Sequence, residues 1–180
     1  MNKQQGFTLI ELTIAIIILG ILAASAVPKF TNLSSDARLA VLKGMEGALR
    51  SGVNLIYAKA VLTNQDNPPE EDKDKFVADI DGITMTLHSG YPDGNWMNGV
   101  RYAISLDDVE FSKQAEDICK SNWCGRGEQQ ELPSGIVITQ GYIAKVFPQG
   151  YSWNDQCGVY YINYHDGSKP EIGLETKECK

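Results

Sequence analysis

The sequence predicts an α+β protein: a long N-terminal helix, membrane-spanning in its first half, packs on a head built from an antiparallel β-sheet. Residues 7–27 are almost all apolar, and beyond them apolar residues recur every three or four positions, as on one face of a helix. After residue 62, short runs of β-branched and aromatic residues alternate with turn residues, a pattern typical of strands. The predicted divisions are a short leading segment 1–6, a span 7–27, a packing helix 28–62 and a head 63–180.

The apolar run is long enough to cross a membrane. As a helix, residues 7–27 would extend about 31 Å, which matches the hydrocarbon core of a bilayer. Lys3 lies on the short side of the run, so the positive-inside rule keeps residues 1–6 in the cytoplasm and sends the rest of the chain outward.

Three explanations of this run compete, and Glu11 discriminates among them. The run could be a plain single-span anchor, or a secretory signal peptide cut after Ala26, where Ala24-Ser25-Ala26 resembles a cleavage site. It could also be cut on its other side and stay on the mature chain. A carboxylate within the membrane costs on the order of 3 kcal/mol and usually has a function. A signal peptide or an ordinary anchor gains nothing from Glu11, whereas a polymer can use it.

The helix is expected to continue past the membrane run, with one irregularity. Pro28 removes a backbone hydrogen bond and clashes with the preceding turn, so a kink or local opening is expected near Gly20 and Pro28. The face predicted to pack on the sheet consists of Leu42, Met45, Leu49, Val53, Ile56 and Ala60.

A polar loop, residues 63–75, ends the helical pattern, and the head follows as a series of strands. The two weaker strands are joined by Asp81-Gly82, a favoured tight-turn dipeptide. A short helix over Asp107–Lys120 is predicted, with Ser105 as its cap and with Leu106, Val109 and Ile118 facing inward. The predicted strands are Phe76–Ile80, Ile83–His88, Ile136–Gln140, Tyr142–Phe147 and Val159–Tyr164, with Glu171–Thr176 as a further edge strand.

Four cysteines lie in the C-terminal third: Cys119, Cys124, Cys157 and Cys179. An even number in a chain with an export-type N-terminus indicates two disulfides. Three pairings are possible, and the most local set, Cys119–Cys124 with Cys157–Cys179, is favoured. A zinc site is disfavoured because the C-x4-C spacing has no C-x2-C or histidine-rich partner.

The remaining features favour no catalytic or cofactor-binding role. The net charge of −7 disfavours nucleic-acid binding, which needs a basic surface. His88 and His165 have no matching nucleophile motif, and no phosphate-binding loop or metalloprotease motif is present. Neither Asp79/Asp81 nor Asp93-Gly94-Asn95 has the full ligand series of a calcium loop, so turn chemistry explains them better. Three loop tryptophans, if exposed, could stack on sugars; half-buried anchoring is the commoner role for such residues: Trp96, Trp123 and Trp153.

The N-terminal residues Gly6-Phe7-Thr8-Leu9-Ile10-Glu11 resemble the prepilin processing motif of type IV pilins. The resemblance implies that a prepilin peptidase cuts after Gly6 and that the new N-terminal Phe7 is methylated. Glu11 would then be the fifth residue of the mature chain, and its carboxylate would neutralise the Phe7 amine of a neighbouring copy in a helical filament. A proline at the position of Pro28 and a loosened helix there are also features of that family.

The C-terminal residues extend this resemblance. Cys157 and Cys179 enclose a segment similar to the disulfide-bounded surface loop of pilin heads, and Tyr142-Ile-Ala-Lys-Val-Phe-Pro148 is most similar to mannose-sensitive haemagglutinin (MSHA) pilins. The pair Cys119/Cys124 is not part of that pattern. A pilin is implied to rest in the inner membrane and then to form an extracellular attachment fibre with copies of itself, with surface glycans as a candidate receptor. The alternatives are a type II secretion pseudopilin, a class that often binds calcium in the head, and a secreted binding protein cut after Ala26.

Overall fold

The structure is a computed structural model that describes residues 8–66, 76–104 and 109–179, without the side chains of residues 25–34 and 76. The chain divides into two compact units, one extending to Arg38 and the other running from Leu39 to Cys179. Each unit is described by itself below.

One α-helix, α1 (Leu9–Leu62), belongs to both units. In the second unit its buried face is the one predicted from the spacing, and the six residues from Leu42 to Ala60 are each no more than 6% exposed. The helix ends where Asn64 adopts a left-handed conformation (φ 52°) and the Gln65 amide donates to the Ala60 carbonyl at 2.7 Å. This αL residue and the hydrogen bond to Ala60 provide a partner for one of the carbonyl groups that a helix end leaves unpaired. The helix ends beside the polar stretch that was predicted to end it.

A three-stranded antiparallel sheet follows, with the order β1 (Phe76–Ile80), β2 (Ile83–His88), β3 (Tyr91–Pro92). Ile80 pairs with Ile83 across the turn, and Asp81 (φ 54°) and Gly82 (φ 79°) are both left-handed. A two-residue hairpin needs these φ values because they match the twist of the strands, so the predicted hairpin and its turn are confirmed.

The second sheet has five strands in sequence order. They are β4 (Val109–Phe111), β5 (Trp123–Gln129), β6 (Tyr142–Pro148), β7 (Gly158–Asn163) and β8 (Glu171–Glu175). The β4–β5 pair is parallel and the other three pairs are antiparallel. A short 3-10 helix, Val100–Ala103, precedes this sheet. Strands β6 and β7 and the edge position of β8 confirm the predictions for this region.

Apolar side chains cover both faces of the second sheet. On β6, Ala144 and Val146 join the core beneath α1, whereas Ile143 and Phe147 join a second cluster with Leu132 and Trp153. Successive strand residues point to opposite faces, so this alternation places a buried cluster on each side. The predicted α+β arrangement, a helix packed on antiparallel sheets, is therefore present.

The prediction of a helix over Asp107–Lys120 is wrong for the described residues. Residues 109–111 form β4, and residues 112–120 form turns and irregular backbone. Ile118 is 63% exposed instead of facing inward, and Ser105 and Leu106 lie outside the described residues. The cause is tertiary pairing: Val109 lies opposite Trp123, and the Ser112 amide donates to the Gly125 carbonyl at 3.0 Å. Pairing with β5 overrides the local helical preference.

Two further predictions about strands fail. Residues 136–140 form no strand, only an isolated bridge between Glu131 and Val137, and Val137 is 64% exposed. In contrast, β5 was not predicted, because its sequence Trp-Cys-Gly-Arg-Gly-Glu-Gln has two glycines and two charges. Gly125 is needed there because a Cβ at that position would overlap the Trp96 ring.

Candidate assembly site at the N-terminal helix

Glu11 lies in the first turn of α1 and caps the helix together with Thr8. Its Oε2 accepts hydrogen bonds from the Thr8 amide at 2.9 Å and from the Thr8 hydroxyl at 2.7 Å. The Glu11 amide in turn donates to Thr8 Oγ1 at 3.3 Å. This reciprocal arrangement is a capping box, which satisfies amide donors that a helix N-terminus otherwise leaves unpaired.

Thr8 is a residue of this site that the sequence reasoning missed. Thr8 and Glu11 have the T-x-x-E spacing of this motif, so the signal was present in the sequence. Both bonds from Thr8 use the same carboxylate oxygen, Oε2. Among the described residues Oε1 accepts no hydrogen bond, and Glu11 is therefore able to accept one from a donor outside this chain.

The predicted cleavage and methylation residues, Gly6 and Phe7, lie outside the described residues. The capping box begins one residue after them. The structure therefore places the predicted acidic residue but not the two residues predicted to be processed, and their roles stay predictions.

The helix after Glu11 is apolar on every side and its side chains are exposed. The ten large apolar residues between Leu9 and Leu22 are each 51–83% exposed. Burying one such side chain contributes roughly 1.5–3 kcal/mol, so leaving ten of them in water is strongly unfavourable. A helix of this kind is stable only when another apolar phase or other helices cover it.

Gly20 and Pro28, the residues predicted to kink the helix, lie within one continuous α-helical assignment. A Cβ added at Gly20 would meet nothing within 4 Å, and the side chain of Pro28 lies outside the described set. The predicted opening of the helix stays a prediction. Within the part of the chain that the structure describes, no helix combines the length and the apolarity needed to span a membrane.

The four cysteines form two disulfides, Cys119–Cys124 and Cys157–Cys179, which is the most local of the three possible pairings. The second disulfide closes a segment that contains β7 and β8. It holds the end of the described chain against the start of β7, since the Glu178 amide also donates to the Gln156 carbonyl at 3.2 Å. The C-terminal segment is thus fixed by a covalent bond and by strand pairing.

A buried ion pair, which sequence reasoning did not find, lies beside this disulfide. Lys145 on β6 and Glu175 on β8 are 0% and 2% exposed, and Nζ and Oε2 are 2.9 Å apart. The ammonium also donates to the carbonyls of Trp153 and Asp155, and Glu175 Oε1 accepts from the Ser134 amide at 2.9 Å. Burial lowers the pKa of Lys145, although the Glu175 carboxylate opposes that shift.

The two histidines and the acidic turns have structural partners. The rings of His88 and His165 stack at 4.2 Å, and His165 Nε2 lies 2.9 Å from Asp93 Oδ1. Asp79 accepts from the Gly82 amide at 2.7 Å, and Asp81 pairs with Lys59. In the described residues no three metal-binding side chains come together. These carboxylates serve turns and ion pairs here.

The three loop tryptophans of the sequence analysis are buried or half-buried. Trp96 and Trp153 are 3% and 5% exposed, so neither offers a free ring face to a sugar. Trp123 is half-buried on β5 rather than in a loop. Trp96 and Trp153 therefore have the anchoring role that the sequence favoured, and their buried rings do not support stacking on glycans.

Comparisons with known proteins agree with the N-terminal motif. The family model for the prokaryotic N-terminal methylation motif matches residues 1–27. The type IV narrow pilus major component PilA5 of Thermus thermophilus is 43% identical over 63 residues, which are 34% of this chain and 54% of that protein. The type IV major alpha-pilin of Moraxella bovis is 34% identical over 108 residues, covering 60% of this chain and 65% of that protein.

A type II secretion protein is also among the relatives. The type II secretion system core protein G of Pseudomonas aeruginosa is 40% identical over 54 residues, covering 30% of this chain and 38% of that protein. The matched stretch spans less than two thirds of each of these three relatives. No solved structure matches the chain. The narrower resemblance to MSHA pilins stays a prediction. The chain thus matches the prokaryotic N-terminal methylation motif over residues 1–27 and is similar over part of its length to type IV pilins.

Proposed function

We propose that this protein is a structural, non-catalytic subunit of a type IV pilus that polymerises through its N-terminal helix into a surface fibre for attachment. The single observation that carries the proposal is the exposed apolar helix between Leu9 and Leu22 with Glu11 capping its first turn. Such a helix needs a membrane or other copies to cover it. The membrane covers it before assembly, and other copies cover it in the polymer.

The proposed maturation follows from the sequence motif. A prepilin peptidase removes residues 1–6, Phe7 becomes the methylated N-terminus, and the subunit waits in the inner membrane with its N-terminus on the cytoplasmic side. Extraction into the fibre then replaces lipid contacts of residues 7–27 with contacts to other copies. The net charge of −7 keeps the outer surface of the fibre soluble.

Glu11 sets the register of the polymer in this proposal. The amine of Phe7 on one copy pairs with the carboxylate of Glu11 on its neighbour inside the apolar core. A buried pair of this kind adds little net stability, but any wrong register leaves two isolated charges in an apolar environment. Register selection is therefore the main role of the pair.

N-terminal mass analysis of the mature protein tests the proposal. Fibres sheared from cells should contain a chain that begins with N-methylated Phe7 and retains the apolar run. A mature chain that begins at Val27 would instead identify a secreted protein cut after Ala26, and the polymer proposal would fail.

The second candidate is a type II secretion pseudopilin, which the similarity to core protein G favours. Pseudopilins share the N-terminal motif and build a short periplasmic fibre, so the N-terminal analysis does not separate the two. Electron microscopy with antibodies against the second unit does: long external fibres support the pilin, and label confined to the periplasm supports the pseudopilin.

A further inference from the structure

Two tyrosine rings from different elements of the second unit lie face to face. Tyr57 belongs to α1 and Tyr91 to β3, their ring centroids are 4.3 Å apart, and their ring planes differ by 9°. Aromatic pairs usually have their centroids roughly 4.5–7 Å apart, so this contact is close for its kind. It is the one stacked pair of tyrosines among the described residues, which include all eight tyrosines of the chain.

The fold holds both rings in this arrangement. Ile56 and Ala60 on the same part of α1 are 6% and 0% exposed, so the helix around Tyr57 is fixed in the core. Tyr91 belongs to β3, which is hydrogen-bonded to β2. Gly90 leaves room for the contact, because a Cβ there would lie 3.0 Å from Cδ2 of the Tyr57 ring. Two groups held in contact by a fold react as if each were present at a very high concentration.

We propose that Tyr57 and Tyr91 form an oxidative crosslinking site, at which a one-electron oxidant joins the two rings into dityrosine. The oxidant is of the class of a haem peroxidase supplied with hydrogen peroxide. Each phenol loses one electron and one proton, and hydrogen peroxide takes up both electrons and both protons to give two water molecules. The contact lies within one chain, so the inference goes beyond the proposed function and does not depend on it.

The stacked geometry suits the bond that must form. The unpaired electron of a tyrosyl radical occupies the π system and has density on the ring carbons ortho to the oxygen. A bond between two such carbons therefore forms in a direction roughly perpendicular to both ring planes, and parallel rings in contact offer their π faces for it. Each ortho carbon then loses its hydrogen as a proton while the oxygen of the same ring takes one up, so both rings become aromatic again. The chain loses two hydrogen atoms in total.

A second pair of tyrosines provides an internal comparison. Tyr160 and Tyr164 donate their hydroxyl groups to the two oxygens of Glu171 at 2.9 and 2.8 Å. Both phenols thus meet at one carboxylate, but in the described part of the chain their rings do not stack on each other. Because the proposed bond joins ring carbons and not oxygens, we expect this pair to crosslink far less than the stacked pair.

The crosslink would connect elements that neither disulfide connects. Cys119–Cys124 and Cys157–Cys179 both lie in the C-terminal third of the chain. A bond between Tyr57 and Tyr91 would instead join the end of α1 to the three-stranded sheet. A covalent crosslink reduces the entropy of the unfolded chain, so the oxidised unit should unfold at a higher urea concentration.

Oxidation of the full chain in detergent with hydrogen peroxide and a haem peroxidase, followed by tryptic peptide mapping, tests the proposal. Trypsin releases Tyr57 in peptide 51–59 and Tyr91 in peptide 76–101, and each peptide contains a single tyrosine. A joined pair of these peptides that lacks two hydrogen atoms therefore identifies the crosslink. A mixture of isotopically labelled and unlabelled chains distinguishes a crosslink within one chain from one between chains. Dimerisation of free tyrosine in a parallel reaction confirms that the oxidant is active.

The expected result is a crosslink between the two peptides of one chain, several-fold more abundant than any other tyrosine crosslink and accompanied by dityrosine fluorescence. Tyr57→Phe and Tyr91→Phe should each abolish it, whereas Tyr164→Phe, the matched control, should leave it unchanged. Circular dichroism and retention of both disulfides show that each variant is folded.

Three outcomes overturn the proposal once free tyrosine has dimerised. The first is recovery of peptides 51–59 and 76–101 without a link between them. The second is a link that forms only between different chains. The third is a crosslink of Tyr160 to Tyr164 of equal abundance, because contact between ring faces would then not direct the reaction.

Discussion

The buried pair Lys145–Glu175 allows a quantitative prediction about the second unit. Replacing Glu175 with Gln removes the countercharge, while the ammonium stays 0% exposed and surrounded by the carbonyls of Trp153 and Asp155. Leaving one charge of a buried pair without its partner costs about 3–5 kcal/mol. For a folded unit of this size, that corresponds to a fall in Tm of about 10–15 °C.

The matched comparison is a double variant in which both charges are removed. Lys145→Met with Glu175→Leu replaces the pair with apolar groups of similar volume, and such replacements are often neutral or stabilising. The double variant should therefore recover most of the stability that Glu175→Gln loses. The disulfide Cys157–Cys179 is retained in both proteins, so the loop it closes is equally constrained in each.

Thermal and urea unfolding of the full chain in detergent, followed by near-ultraviolet circular dichroism, measures this difference. The tryptophans packed around the site give the signal, since Trp153 lies 5.0 Å from the Lys145 ammonium and is 5% exposed. A loss below about 1 kcal/mol for Glu175→Gln would refute the reasoning, because that is the range of solvent-exposed pairs. A double variant as unstable as the single one would also contradict it.

Three further predictions concern other parts of the chain. Glu11→Ala should leave membrane insertion intact and abolish fibre assembly, as measured by shearing and electron microscopy, whereas normal fibres would exclude charge pairing. Burial and the carboxylate of Glu171 raise the pKa of Tyr160 and of Tyr164 to about 12, and burial also raises the pKa of Tyr161 well above its ordinary value. Ultraviolet titration should therefore show these three tyrosines ionising late, and Glu171→Gln should lower the pKa of Tyr160 and of Tyr164. The raised pKa values of Tyr160 and Tyr164 contribute to the free energy of unfolding, and this contribution is fully present below pH 10. It is lost as pH rises through about 12, because the same tyrosines ionise at lower pH in the unfolded chain. Gly125→Ala should destabilise the second unit by about 1–3 kcal/mol in urea unfolding, since its methyl group overlaps a buried indole ring; an unchanged midpoint would show that the ring can move.

The regular parts of the fold followed from local patterns in the sequence. The buried face of α1 could be predicted because the spacing from Leu42 to Ala60 has only one helical interpretation. The β1–β2 hairpin could be predicted because Asp81-Gly82 accepts the left-handed φ values that its turn requires. Both signals are contained in a few neighbouring residues.

The features that could not be predicted depend on residues far apart in the chain. Strand β5 contains two glycines that weaken any strand signal, and Gly125 is favourable only because Trp96 packs on it from another segment. Lys145 and Glu175 are 30 positions apart and only the pairing of β6 with β7 and of β7 with β8 brings them together. A lysine within a strand gives no local sign that its ammonium will be buried.

The described part of the candidate assembly site depends on local signals in the sequence. The T-x-x-E spacing and the apolar run are local, so the capped apolar helix was within reach of the sequence.

The capping box is compatible with the second task that we propose for Glu11 in the fibre. Removal of residues 1–6 would leave the peptide bond between Phe7 and Thr8 intact, so Thr8 keeps both of the donors that bind Glu11 Oε2. The carboxylate would then be held in one orientation by its own helix and would present Oε1 to the amine of a neighbour. An acceptor fixed in this way loses little conformational entropy when the partner arrives. Thr8→Val should therefore weaken fibre assembly while keeping the Glu11 charge, and wild-type assembly rates in that variant would show that the cap plays no part in presenting the carboxylate.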